Sequence, residues 1–157
     1  MRILAVAAVL ATGAVAGAAG TAPFLPGSWT VTTTARFVPA PDTPPMVARM
    51  LAAQLARPQV RTRCVTAADL ATAPGSVLAI SGGACRYRSS RFAGGRMALQ
   101  TACSGANGEQ TITDMTGSYT PTSFDATGSK RRDGQPGPAM TIVASGRRTG
   151  ARCGGGG

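Results

Sequence analysis

Four cysteines are the residues in this sequence whose type and spacing first suggest chemistry. No two of them have the Cys-x-x-Cys spacing of a zinc knuckle or a thioredoxin-like redox motif. The sequence contains no histidine, so a zinc site would have to use cysteine and carboxylate ligands alone. In a small exported chain, an even number of cysteines favours structural disulfides over metal or redox chemistry. Whether this chain is exported therefore decides what its cysteines do.

The start of the chain has the layout of a secretory signal peptide. One basic residue, Arg2, precedes an apolar run over residues 3–10, and small residues follow. The apolar run is too short to cross a bilayer, which needs about 20 residues. We therefore predict a leader over residues 1–18, cleaved after Ala16 or Ala18, and no transmembrane segment in the mature chain. The protein is then expected in the periplasm, where disulfides form.

The stretch CRYRSSRFAGGRMALQTAC has the pattern of a β-hairpin closed by a disulfide. Its two halves flank residues 93–95, which we interpret as a three-residue loop with glycine where φ is positive. If Phe92 pairs with Arg96 across this loop, Cys85 and Cys103 lie directly opposite each other. Opposed Cα atoms on antiparallel strands are about 4.5–5.5 Å apart, a separation that a disulfide can bridge.

The same alternation divides the hairpin into two faces. Arg86, Arg88 and Arg96 are predicted to share one face, which we interpret as a candidate anion-binding surface because guanidinium groups suit phosphate oxygens. The other face is mostly apolar, although Arg91 falls on it and Phe92 falls on the arginine face. The alternative interpretation is a solvated face that keeps the sheet soluble and its edge unattractive to other strands.

The rest of the chain repeats the β pattern around one helix. We predict a mainly β domain: a single antiparallel meander, curved or barrel-like, of about seven strands with one short helix in its N-terminal half. A sandwich of two small sheets is the alternative. Gly117-Ser118 is predicted as a turn, and the four glycines at 154–157 as a disordered tail. The expected strands are 28–37, 59–65, 85–92, 96–103, 109–115, 119–128 and 139–147, and the expected helix is 46–56.

The inventory of reactive side chains argues against an enzyme. The sequence has no histidine, one lysine and six carboxylates, and no serine lies in a Gly-x-Ser-x-Gly motif. We therefore predict no catalytic residues and no cofactor. Thioether ligands for Cu(I) would have to converge, and we interpret the methionines as core packing. Outside the leader they are scattered over Met46, Met50, Met97, Met115 and Met140.

The formal net charge is +10, which often indicates nucleic-acid binding. Export and the absence of interleaved aromatic residues argue against that partner. Anionic envelope surfaces, meaning acidic lipid head groups or lipopolysaccharide phosphates, are the expected partners instead.

Several motifs together resemble one bacterial family. PGSW (26–29), CVTAADL (64–70), two mid-chain cysteines, a GE followed by GSY (108–119) and GRRTGARC (146–153) occur in this order. The chain over residues 24–153 resembles the small secreted proteins of the domain of unknown function 3617. The resemblance implies an exported, periplasmic protein of Gram-negative bacteria and no particular activity.

Two functions are consistent with these features. The first is a non-enzymatic binding or envelope-associated protein that uses its basic outer face or a cavity inside the curved sheet. The second is a structural or stress-related accessory protein whose partner is another envelope protein.

The hairpin register generates a prediction about connectivity. Four cysteines allow three disulfide connectivities. If Cys85 pairs with Cys103, the second disulfide joins Cys64 and Cys153. We expect peptide mapping under non-reducing conditions to recover these two pairs, and a Cys64–Cys85 peptide would contradict the register. Removing the Cys85–Cys103 bridge should cost about 2–5 kcal/mol of unfolding free energy.

Overall fold

The structure is a computed structural model, and it describes residues 22–78, 84–105, 108–135 and 139–153. The predicted leader over residues 1–18 and the predicted disordered tail over 154–157 lie outside the described residues.

Seven strands form one antiparallel sheet, which confirms the predicted meander and excludes the two-sheet sandwich. The spatial order is β2-β1-β7-β6-β5-β4-β3, so β2 and β3 are the edge strands and the sheet does not close. The strands are β1 (Gly27–Phe37), β2 (Gln59–Val65), β3 (Ala84–Ala93), β4 (Arg96–Ser104), β5 (Gln110–Thr120), β6 (Ser123–Arg132) and β7 (Met140–Gly150). The helices are α1 (Pro45–Leu55) and α2 (Ala67–Thr72), followed by a 3-10 turn (Pro74–Leu78).

The sheet curves strongly. Because β4 and β5 separate β3 from β6, a flat sheet would place β3 and β6 about 14 Å apart. The Arg88 guanidinium on β3 nevertheless lies 3.0 Å from the carboxylate of Asp133, which directly follows β6. The sheet is therefore curved between β3 and β6, and the 3-10 turn packs on the concave side against Tyr87 and Leu99.

An aromatic cluster fills one end of the concave face. Phe24 makes edge-on contacts with Trp29, Phe92 and Phe124, at ring-centroid distances of 5.5, 5.6 and 6.2 Å. Tyr119 closes the cluster against Phe24 and Phe92. The Trp29 ring is fully buried, and its indole N–H donates a 3.1 Å hydrogen bond to the carbonyl of residue 25. Burial of a large ring together with its one polar group makes Trp29 a core anchor.

The β3–β4 turn differs from the predicted three-residue loop. Gly94 and Gly95 form a two-residue turn with φ values of 55° and 73°, and Ala93 pairs with Arg96. Near the cysteines the register is nevertheless the predicted one, because a bulge between Tyr87 and Ser89 absorbs one extra residue. Two glycines that both accept positive φ favour the tight turn over the longer loop.

The turn predicted at Gly117-Ser118 is also misplaced. Both residues lie inside β5, and the chain turns at residues 121–122 instead. Gly117 belongs in the strand because a Cβ there would collide with the backbone carbonyl of Asp125 on β6. The curvature brings the two backbones together, so this glycine marks a close approach and not a turn.

Helix α1 forms close to the predicted bounds but buries little. None of its residues is fully buried, and Ala48, Leu51 and Leu55 are half-buried. Met46 and Met50 remain 77% and 58% exposed, so the interpretation of these two methionines as core packing is wrong. The helix therefore covers only part of the sheet.

Both pairings expected for the cysteines are present as disulfides. Cys85 and Cys103 are directly opposed on β3 and β4, with a Cα–Cα distance of 4.0 Å. Cys64 on β2 bonds Cys153, just beyond β7, with a Cα–Cα distance of 5.2 Å. Because β1 lies between β2 and β7, the second bridge crosses β1 and links the edge strand β2 to the chain just beyond β7.

The position of Trp29 generates a stability prediction. We expect Trp29→Ala to lower the unfolding free energy by about 3–5 kcal/mol, because it leaves a cavity inside the aromatic cluster. Phe37→Ala, at the half-buried far end of β1, is the matched control and should cost less. Denaturant unfolding measures both, and wild-type fluorescence should be blue-shifted and poorly quenched by iodide. Equal losses in the two variants would contradict the anchoring role.

Candidate functional site

The concave face carries a cavity at the end opposite the aromatic cluster. This cavity, here called the inner cavity, has a volume of about 320 Å³. Its wall comes from strands β1 and β3 to β7 and from the 3-10 turn, so the curvature of the sheet creates it. Its apolar lining consists of Ala35, Leu78, Leu99, Met115, Met140 and Ile142, with Cys85 of the hairpin disulfide in the wall.

A few polar groups interrupt this apolar lining. Thr33, Thr101 and Thr113 contribute hydroxyl groups, and Lys130, the single lysine of the sequence, contributes an amino group. The Ser76 hydroxyl is buried and makes no hydrogen bond to any other described residue. A buried hydroxyl without a partner is costly, so a water molecule or a ligand atom is the natural partner for it.

A second cavity lies beside the first. This basic cleft has a volume of about 490 Å³ and lies between β1, β2 and the C-terminal end of α1. Three arginines line it, and no acidic residue does so in the described part of the chain. Its lining residues are Val31, Thr33, Ala35, Gln54, Leu55, Arg57, Gln59, Arg61, Thr62, Arg63 and Cys64.

Strand β2 presents its arginines to the concave side. Arg61 pairs with Val31, and Arg63 pairs with the buried Trp29. Because opposed residues of an antiparallel pair point to the same face, both arginines lie on the face that holds the core. Val60 lies on the opposite face and is 63% exposed. The available sequence signal for this surface is the alternation of Arg61 and Arg63 with the residues between them along β2.

The inner cavity and the basic cleft adjoin each other. Thr33 and Ala35 on β1 line both of them. Arg63 also acts across the boundary: burial raises the pKa of the Tyr87 hydroxyl in the inner cavity, and the charge of Arg63 offsets part of that rise. Hydrogen bonds from Thr66 lower the pKa of Asp69, and Arg63 lowers it further. The two cavities therefore form one continuous concave surface.

The arginine set predicted on the hairpin is changed by the bulge. Arg88 is the extra residue of the bulge and forms an ion pair with Asp133, which offsets its charge. The one-residue shift places Arg91 on their outer face instead and turns Phe92 into the core. Arg91 and Phe92 were the two residues that fitted the simple alternation poorly, and that misfit was the available signal for a bulge.

Acidic residues offset part of the positive charge on the outer face. Asp114 accepts a 2.6 Å hydrogen bond from Gln100 and another of 2.6 Å from Arg131. Burial alone would raise the pKa of Asp114, but these two hydrogen bonds and the charge of Arg131 together lower it. The ionised form of Asp114 therefore stabilises this face.

The fold and its cavities define a small disulfide-bonded domain built from one curved antiparallel sheet with an open concave face. The family model described as a protein of unknown function (DUF3617) matches residues 24–153, and the chain belongs to this family. No curated protein and no solved structure matches the chain. Within the described residues, no helix is long and apolar enough to span a membrane.

The environment of Asp114 generates a pH prediction. Because its pKa is lowered in the folded state, the stabilisation is present above about pH 4, the unfolded value, and is lost as the pH falls through the folded pKa. We expect Asp114→Asn to lower the unfolding free energy at pH 7 by at most about 1 kcal/mol, since the pair is partly exposed. Thermal unfolding should show this difference shrinking at pH 3.

Asp125→Asn is the matched control, because Asp125 is an exposed carboxylate of the same face without an ion pair to any described residue. A difference between wild type and Asp114→Asn that stays constant from pH 7 to pH 3 would contradict the assignment.

Proposed function

We propose that the protein is an exported, non-enzymatic binding protein of the periplasm that holds an apolar or amphiphilic small molecule in the inner cavity. The observation that carries this proposal is a cavity of about 320 Å³ on the concave face. Small-molecule sites are typically concave, mostly apolar and about 300–1,000 Å³ in volume, with a few polar groups that orient the ligand.

The chemistry of the lining supports an acyl-chain type of ligand. Leu99, Met115 and Ile142 offer contacts without directional preference, and the methionine side chain adapts to irregular shapes. Lys130 lies at the same cavity and adds a polar donor to its otherwise apolar lining. The Ser76 hydroxyl, without a partner among the described residues, is available to a ligand oxygen.

The same lining supports binding without catalysis. Its ionisable groups are Lys130 and Tyr87, and Cys85 is held in a disulfide. No histidine exists in the sequence to act as a base. Neither an activated nucleophile nor a paired acid and base lines the described part of this cavity.

The sequence supports export. The leader pattern over residues 1–18 and the two disulfides together fit an oxidising compartment outside the cytosol. The cavity wall contains the Cys85 side of one bridge, so oxidative folding would also fix the shape of the site.

A second candidate function is attachment to an anionic envelope surface. Arg86, Arg91 and Arg96 are exposed on the outer face and form no ion pair with another described residue. Such a surface would attract lipid phosphates or lipopolysaccharide in a salt-dependent way. It would complement the cavity, because a lipid-binding protein has to reach the membrane that supplies its ligand.

A cavity-filling variant tests the proposed function. Thr113→Phe places a ring in the inner cavity, whereas Thr116→Phe places it on the exposed outer face of the same strand. We expect wild type and Thr116→Phe to enhance the fluorescence of N-phenyl-1-naphthylamine equally, and Thr113→Phe to lose most of that enhancement.

Thermal unfolding verifies that both variants fold, and native mass spectrometry of protein purified from the periplasm identifies the natural ligand. Equal enhancement by all three proteins would place the probe outside the cavity and refute the proposal.

A further inference from the structure

We propose that the basic cleft binds the phosphate-ester head group of the ligand whose apolar part occupies the inner cavity. This inference rests on the proposed function and adds the chemical class of the ligand, an amphiphile with one acyl or alkyl tail and a phosphate head. The residues assigned to the head group are Arg57 and Arg61, with Arg63 beside them.

The first argument is that β2 reverses the usual pattern of a sheet strand. An amphipathic strand directs apolar residues to the core and charged residues to solvent. On β2, Arg61 lies on the core face beside Val31, whereas Val60 is 63% exposed on the other side. Departures from local pattern rules concentrate at functional sites, because elsewhere they only cost stability.

The second argument is the uncompensated charge of Arg57 and Arg61 in the cleft. The carboxylates of Asp114, Asp133 and Glu109 form ion pairs with arginines elsewhere on the sheet. In the described structure, Arg57 and Arg61 have neither an ion pair nor a hydrogen bond to a protein group. Several guanidinium groups around one concavity repel each other, and a bound anion relieves that repulsion.

The third argument is the chemistry of the donors. A guanidinium group presents a planar fork of N–H donors that matches two oxygens of one phosphate. Two such forks, with the carboxamides of Gln54 and Gln59 beside them, suit a group with several anionic oxygens better than a single carboxylate. Phosphate is therefore the head group that this donor set fits best.

The fourth argument is continuity. Thr33 and Ala35 line both the basic cleft and the inner cavity, so a single molecule can extend from one to the other along the concave face of β1. On one side of β1, strands β7 and β5 carry apolar residues of the inner cavity. On the other side, the neighbouring strand β2 carries Arg61. The tail and the head group of one amphiphile thus have adjacent places.

The experiment compares three probes on the full mature protein by isothermal titration: dodecanol, dodecyl phosphate and inorganic phosphate. Wild type should bind dodecyl phosphate at least about tenfold more tightly than dodecanol, the gain expected from charge-assisted hydrogen bonds. In Arg57→Ser/Arg61→Ser this ratio should fall close to one while the affinity for dodecanol stays unchanged. Both arginines are exposed, so the variant should keep its fold.

Arg86→Ser/Arg91→Ser removes the same charge from the outer face and is the matched control; its ratio should remain that of wild type. A ratio near one in wild type, or an equal fall in both double variants, would overturn the proposal. Inorganic phosphate that binds as tightly as dodecyl phosphate would also overturn it, because the cleft would then serve free phosphate and not a lipid head group.

The two proposals fail in different ways. If Thr113→Phe leaves the affinities for dodecanol and dodecyl phosphate unchanged, the inner cavity is not the site of the tail and the proposed function fails. If Thr113→Phe abolishes dodecanol binding but the Arg57→Ser/Arg61→Ser variant keeps the wild-type ratio, only the head-group assignment fails.

Discussion

The packing of aromatic rings around Phe24 is the interaction on which the rest of the structure depends. Five rings from the N-terminal segment, β1, β3, β5 and β6 meet at one end of the concave face. Gly146 on β7 allows this, because a Cβ at that position would collide with the Phe124 ring. Once the sheet bends around this cluster at one end, its other end has fewer large side chains to fill the curve, and a cavity remains.

The two disulfides act where the sheet is weakest. Edge strands have hydrogen-bonded neighbours on one side only, and β2 and β3 are the two edges. In the chain-entropy model, the Cys64–Cys153 bridge, with a sequence separation of 89, contributes about 4–5 kcal/mol, and the Cys85–Cys103 bridge, with a separation of 18, contributes about 3 kcal/mol. Because β2 lines the basic cleft and β3 lines the inner cavity, the bridges that stabilise the edges also hold the walls of both sites.

Positive charge is distributed unevenly over this framework. On the outer face, Asp114 and its hydrogen bonds balance Arg131, while Asp133 holds the bulged Arg88. No acidic residue is among the described lining residues of the basic cleft, and Asp69 interacts electrostatically with Arg63 only. A net charge of +10 therefore gives little information by itself, and the position of each arginine relative to the carboxylates decides which surface has an excess.

Local rules in the sequence determined much of the fold. Alternation and turn residues predicted the antiparallel meander and the helix, because each depends on neighbours along the chain. The tight turn at Gly94-Gly95 and its compensating bulge were not predicted. Local sequence preferences do not distinguish two strand registers that differ by one residue, and the packing of Phe92 against the core selects the observed register. The two cavities were decided by tertiary structure alone. Curvature brings distant residues such as Thr33, Tyr87 and Lys130 to one concave surface, and no pattern along the chain records that distance.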